Sequence, residues 1–353
     1  MNRSFKLLFR SLIMFLLSFS LCVSSTLSIA AITKRDFYQL ENYILPSSNK
    51  VRLTEKDLFH LSIYNIDVAR NEIYARHGYV FKNQTYTDIF TGKPWYKRNP
   101  KFKESDLSSI ERKNVEFLLS YTNRLKANFK KIERSYYSID LNGDGKKDKI
   151  NLSCNPGDYE FKLAINTSSI SGRGDNLDGV MYLADINNRD NIKEIALTES
   201  GPSNDSKTYF YYYDGSKIVY MGSVQGDNYS LKLNGSGRFI TKTRGSILQT
   251  WFYADEYKLS SSHQLSHITE SYRKMNTIVT VKKQLTLQKS QTDPAAAVTL
   301  NAGEKVLLSD TDDVKWCSIE TADGKKGWFS TTGFSEINRS PATDYFEGLC
   351  MAD

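Results

Sequence analysis

The sequence predicts a multidomain α + β protein: a small all-helical module, then a β-rich module, then a small β-barrel, behind an N-terminal export signal. Three observations carry this reading. Apolar residues recur at helical spacing between residues 53 and 127. From Tyr136 onward the period shortens to two, with Gly and Asp turns between short runs. At the extreme N-terminus an uncharged apolar stretch, residues 12–23, follows Arg3, Lys6 and Arg10. With 353 residues, two or three domains are expected rather than one core.

The leading cations, the apolar run and the small residues ending in Ser28, Ile29 and Ala30 are the parts of a secretory signal over residues 1–30, with Ala31 as the new N-terminus. The other reading is a retained signal anchor, because residues 11–33 carry no charge and are long enough to span a bilayer. Both readings export the rest, since the cations stay inside. The membrane is then met only through this segment, and only if it is uncleaved. The net charge of +7 falls to +4 without the three leading cations, so a nucleic-acid partner is not implied. Cys154, Cys317 and Cys350 follow the signal. They are too few for a disulfide scaffold, and no pair has metal-ligand spacing. A Cys317–Cys350 bridge is allowed but nothing indicates it.

After a polar linker, residues 31–52, the helical module occupies 53–127. Thr54 and Asp57 give a start signal before Leu58, Phe59 and Leu61. Ile66, Ala69 and Ile73 keep helical spacing, and Gly78 stands where a C-cap glycine belongs. A last helix begins near Ser105 or at the capping box of Ser108 and Glu111, with a stripe of Ile110, Val115, Leu118, Tyr121 and Leu125. The β-rich module spans 136–259. Ile150, Leu152 and Cys154 alternate with polar residues, as do Phe161, Leu163 and Ile165. The tyrosine-rich run 209–213 ends at Asp214 and Gly215, a hairpin turn answered by residues 218–220. Residues 260–276 read as a polar linker, 277–337 as the short strands of the barrel, and 338–353 as a loosely ordered tail with Tyr345 and Phe346 available for docking.

The densest chemistry lies at Tyr74, Ala75, Arg76, His77 and Gly78, with Arg70, Asn71, Glu72 and Ile73 before it and Phe81, Pro94, Trp95 and Tyr96 after it. Together with Ile110, Glu111 and Asn114, these residues make the segment 53–125, about a fifth of the chain, resemble the bacterial extracellular YARHG domain. The resemblance implies an all-helical surface module. It carries no agreed activity and transfers no catalytic residue. From the residues alone, Glu72 and Arg76 form an i,i+4 pair in the helix-stabilising order. His77 could serve as a general base, but no Ser or Cys nucleophile lies near it in sequence. Trp95 and Tyr96 offer apolar faces to a sugar ring or peptide, with Arg98 and Lys93 for acidic groups, and Arg76 and His77 join them as candidate ligand contacts.

Asp140, Asn142, Asp144 and Asp148 supply oxygens at loop positions one, three, five and nine, and the carbonyl of Lys146 fills position seven. With Gly145 at position six, this suits calcium. Asn151 at position twelve excludes an EF-hand, and the loop resembles the calcium loops of FG-GAP and VCBS surface proteins. Affinity is expected in the weak extracellular range, about 10⁻⁴–10⁻³ M. A looser copy runs from Asp185 to Glu194 with one inserted residue, and there a metal-free turn is favoured. Residues 277–337, with Gly303, Val306, Trp316, Gly327, Trp328 and Phe329, resemble bacterial SH3-like domains. That resemblance implies attachment to cell-wall peptides. Trp316 and Trp328 join the candidate ligand contacts, although core packing is the commoner role for such tryptophans.

The functional expectation is a non-catalytic exported bacterial protein that binds cell-wall material or an envelope partner, with a calcium-stabilised β module. The alternative is an envelope hydrolase with His77 and Glu72 in its site.

Overall fold

The computed structural model describes residues 42–201 and 205–351, so the expected signal lies outside the described residues. Among the described residues no helix is long and apolar enough to cross a membrane. The chain divides into two compact units, one built on residues 47–273 and one on 274–349.

The larger unit opens with a 3-10 turn, Glu55–Leu58, whose Thr54 N–H donates to the Asp57 carboxylate. Helix α1 (Ile63–Arg76) is capped by the Ser62 hydroxyl, which accepts the Asn65 N–H. The helix buries Ile66, Ala69 and Ile73, the residues its spacing singled out. It ends where Gly78 takes φ +81°, and the N–H groups of Gly78 and Tyr79 return to the carbonyls of Ala75 and Tyr74. Helix α2 (Gln84–Thr91) follows, then α3 (Ser109–Asn128) behind the capping box of Ser108 and Glu111. Leu118, Tyr121 and Leu125 of α3 are buried.

Helix α3 runs without a linker into β1 (Phe129–Ile132), so the helical module is continuous with the β-rich part. The next strands are β2 (Tyr136–Ile139), β3 (Asp148–Ser153), β4 (Glu160–Ile165), β5 (Ser168–Arg173), β6 (Leu177–Ala184), β7 (Glu194–Glu199), β8 (Lys207–Tyr213) and β9 (Ile218–Gln225). After them come β10 (Lys232–Leu233), β11 (Arg238–Arg244), β12 (Phe252–Leu259) and β13 (Leu265–Ile268). They form three antiparallel sheets, ordered β2-β3-β4-β5, β1-β6-β7-β8-β9 and β10-β11-β12-β13.

Period-two alternation explains how the sheets stack. Met181, Leu183, Ile195, Leu197, Tyr211 and Tyr213 of the five-stranded sheet pack with Ile150, Leu152, Phe161 and Leu163 of the first sheet. Their neighbours Tyr182, Ala184, Ala196 and Phe210 pack on the opposite side with Leu233 and Phe239 of the third. The five-stranded sheet is therefore the middle layer, and every residue of β7 is buried. The expected hairpin at Asp214 is present, with Tyr213 opposite Ile218. One expectation fails here: Leu265–Ile268, placed in a linker, is strand β13, paired with β12 from Glu256 to Leu259. Its polar residues hid it, because an edge strand needs only one apolar face.

The smaller unit holds β14 (Arg273–Val281, entering the unit at Lys274), β15 (Leu285–Gln288), β16 (Ala296–Leu300), β17 (Lys305–Thr311), β18 (Trp316–Thr321) and β19 (Lys326–Ser330). Residues past the expected end also fold: β20 (Glu336–Ile337), β21 (Ser340–Pro341), α4 (Ala342–Tyr345) and β22 (Phe346–Glu347). The main sheet is seven-stranded, ordered β16-β15-β19-β18-β17-β14-β22. It is an open antiparallel sheet, which corrects the closed barrel expected for 277–337. The tail is likewise ordered rather than loose. Tyr345 and Phe346 are buried, and Phe346 pairs with Val281. Cys154, Cys317 and Cys350 are free thiols.

Candidate functional site

The end of α1 is a tightly bonded joint. Glu72 is 1% exposed and ion-pairs with Arg76. Arg76 also donates to the Ser48 hydroxyl at 3.0 Å. Asn114 of α3 accepts the Leu53 N–H at 3.0 Å and donates to the carbonyls of Ser48 and Val51 at 2.7 and 2.8 Å. These side chains tie residues 48–53 to both helices. His77 does not meet Glu72. Five residues apart on a helix, the two point about 140° apart. The Nε2 of His77 instead lies 2.8 Å from the Oε1 of Glu111 on α3. Glu111 Oε2 accepts the Ser108 N–H, so this one carboxylate caps α3 and holds the histidine. Burial alone would raise the Glu111 carboxyl, but the bonds from His77 and Ser108 outweigh it and hold the group below its usual range.

The aromatics beyond Gly78 pack on one another. Tyr79 meets Phe102 and Phe81, Phe81 stacks on Phe90, and Trp95 and Tyr96 each approach Phe90, with centroids 6.2 and 6.4 Å away. Tyr96 donates its hydroxyl to the Tyr79 carbonyl at 2.8 Å. Trp95 and Tyr96 are half-buried in this cluster rather than raised from it. Arg70 faces Asp67 at 3.7 Å. Beside the joint is an open depression of about 540 Å³, lined by Tyr74, Glu104, Ser105, Leu107, Arg112 and Val115 among others.

The two acidic loops share one design. In the first, Asp140 accepts the N–H groups of Gly143 and Gly145, Asn142 that of Asp144, and Asp144 that of Lys146. Asp148 is 4% exposed; it accepts the Leu141 N–H and the Asn166 side-chain amide. In the second loop, Glu194 is fully buried. It accepts the Ile186 N–H at 3.0 Å and bonds His263 Nε2 at 2.8 Å. In both, the closing acid at the start of a strand reaches back to the amide just after the opening aspartate. The single inserted residue of the second loop is absorbed in between. Asp185 is ion-paired with Lys193 at 2.5 Å, which places a cation of the chain itself on the second loop. As a test of fit to calcium, the first loop offers the side-chain oxygens of Asp140, Asn142 and Asp144 and the Lys146 carbonyl, while both Asp148 oxygens are already engaged. Among the described residues no three His, Cys, Asp or Glu side chains gather as metal ligands.

Trp316 and Trp328 stand elsewhere, on β18 and β19. Trp316 lies opposite Ser330 and Trp328 opposite Ser318, so the two tryptophans are diagonal neighbours on one face. The other face carries Cys317, Ile319 and Phe329, all buried. Both tryptophans are half-buried. Lys315 Nζ sits 5.5 Å from the Trp316 ring and Lys326 Nζ 5.9 Å from that of Trp328. Ser318 is buried on this face and donates to Asp310 at 3.3 Å. Asp310 in turn holds Lys274 and Lys326, each at 2.5 Å. Burial raises its carboxyl, but the two ammoniums outweigh that and keep it below its usual range. The sequence singled out the tryptophans but missed Asp310, Lys274 and Lys326, because their meeting depends on strands being neighbours across the sheet.

A scan of family models matches residues 41–123 to the YARHG domain. That domain is typical of extracellular or secreted bacterial proteins. No curated protein and no solved structure matches the chain.

Proposed function

We propose that this chain is a non-catalytic, exported bacterial surface or secreted protein that binds cell-wall material through its C-terminal sheet. One observation carries the reading: Trp316 and Trp328 share the face of the sheet opposite its apolar side, with cations beside both rings. Aromatic faces next to polar groups suit sugar rings and peptide backbones. The SH3-like reading of residues 277–337 points to the same role, and the company kept by the YARHG domain favours export. The aromatics of the helical module support this less, because they pack on one another. Co-sedimentation with purified walls tests the proposal, with Trp316→Ala and Trp328→Ala as variants. An envelope protein as partner would appear as wall-independent capture.

The β module is also proposed to take up calcium at Asp140, Asn142, Asp144 and the Lys146 carbonyl, like a VCBS or FG-GAP loop. Four protein oxygens fall short of the six to eight that calcium takes, so water completes the shell and binding is weak. The hydrolase alternative keeps one observation in its favour, the His77–Glu111 contact beside the open depression. There Glu111, and not Glu72, is the carboxylate that would orient the base. Products released from walls, lost in His77→Ala, would establish it.

A further inference from the structure

We infer that the ligand of the Trp316 and Trp328 face is an acidic polysaccharide, whose anionic groups are met by the ammoniums of Lys274, Lys326 and Lys315. The inference rests on the wall-binding reading above and specifies its chemistry. The argument is one of layering. Asp310 is 7% exposed, whereas the side chains of Lys274 and Lys326 are 71% and 44% exposed. The negative charge of this cluster is thus buried beneath, and its positive charges face solvent. Each ammonium has three N–H donors and gives one to Asp310, which fixes its position and leaves donors free for an oxyanion. The lysines are therefore held in place before any ligand arrives, and less side-chain entropy is lost on binding.

The ring geometry supplies the second half of the recognition. Lys326 touches both Asp310 and the surroundings of Trp328, so one ammonium joins the carboxylate to the aromatic face. Lys315 places a further ammonium 5.5 Å from the Trp316 ring. A ligand matching this surface has flat C–H faces to lie on indole and oxyanions at its edges. A polymer of sugars bearing carboxylate or phosphate meets both needs. A neutral glycan uses the rings and leaves the cations idle. Glu320, opposite Lys326 across the strands, is the one acid of β18 on this face; together with the buried Asp310 it balances two of the three cations and leaves one in excess.

Calorimetric titration of the full chain tests the inference, with three soluble polysaccharides: a neutral β-glucan, polygalacturonate and a phosphomannan. Wall co-sedimentation runs alongside. At low salt, at least one acidic polymer is expected to bind tenfold or more tighter than the glucan, with the advantage shrinking as salt is raised. Comparison of the carboxylate and phosphate polymers identifies the anionic group. Lys274→Gln should weaken acidic binding roughly tenfold and leave glucan binding unchanged, as expected for one lost charged contact. Lys326→Arg, which keeps the charge beside Asp310, should retain it and guards against mistaking misfolding for lost contact. Equal, salt-independent affinity for neutral and acidic polymers overturns the inference. So does wall sedimentation without binding to either acidic polymer, and in both cases the wall-binding reading stands. Failure to sediment with walls removes the reading itself.

Discussion

At Gly78 the backbone sits at φ +81°, and a Cβ there would run into the Lys97 carbonyl and the Asn99 backbone. Gly78→Ala should therefore cost about 1–3 kcal/mol, the usual penalty of a strained φ, before the clash is added. A urea denaturation midpoint unchanged by the substitution would contradict this. Glu111 yields a pH prediction. Its folded value is depressed below the usual 4.5, so its stabilisation is complete above that pH and is lost as pH falls through the lower folded value. His77→Ala removes one of the bonds responsible, so acid unfolding of the larger unit should begin at a higher pH in the variant. Coincident acid transitions would show that the His77–Glu111 bond carries no linkage. The helix signals at Gly78, Ser108 and Glu111 were legible because they act within a few residues of their targets. The partner of His77 was not: local spacing offered Glu72, and the true partner is 34 residues away.

At the scale of elements, alternation revealed β3 and β4, because each puts its apolar residues on a single buried face, and the hairpin turn at Asp214 revealed β8 and β9. What alternation could not tell was that β7 is covered on both sides. In β7 the polar Glu194, Thr198 and Glu199 are buried together with its apolar residues. Strand β16 escaped notice because its alanines carry little hydrophobic contrast, and β22 because it is only two residues long. The internal repeat of acidic loops was visible as spacing. Its shared mechanics, a closing acid bonded to an early amide, lie in the folded geometry rather than in the spacing. For the first loop, millimolar calcium should raise the melting temperature of the wild type and leave Asp144→Ala unmoved. Binding at about 10⁻⁴–10⁻³ M is nearly saturated at ten millimolar, which gives a stabilisation of roughly 1–3 kcal/mol. Equal melting with calcium and with chelator would remove the metal from the account.

Taken whole, the chain is modular in a different way from its sequence. The helical segment reads as an independent domain, yet α3 continues directly into β1, and Glu55 beside α1 bonds Asn234 near β10 at 2.5 Å. The C-terminal unit reads as complete by residue 337, yet Phe346 is buried and adds a strand to its sheet. Spacing along the chain identifies local pieces, and contacts distant in sequence decide where a unit ends. The same limit applies to the candidate site, whose tryptophans were visible one by one while the lysine and aspartate cluster beside them was not. The central claim is that this protein acts by holding on to the wall. The most direct measurement is co-sedimentation of the purified protein with isolated walls, comparing the wild type with a Trp316→Ala, Trp328→Ala double variant of unchanged circular dichroism. The account predicts that the wild type pellets, that the variant's affinity falls at least tenfold, and that no wall fragments appear in the supernatant. A double variant that pellets like the wild type, or fragments released by either protein, would contradict it.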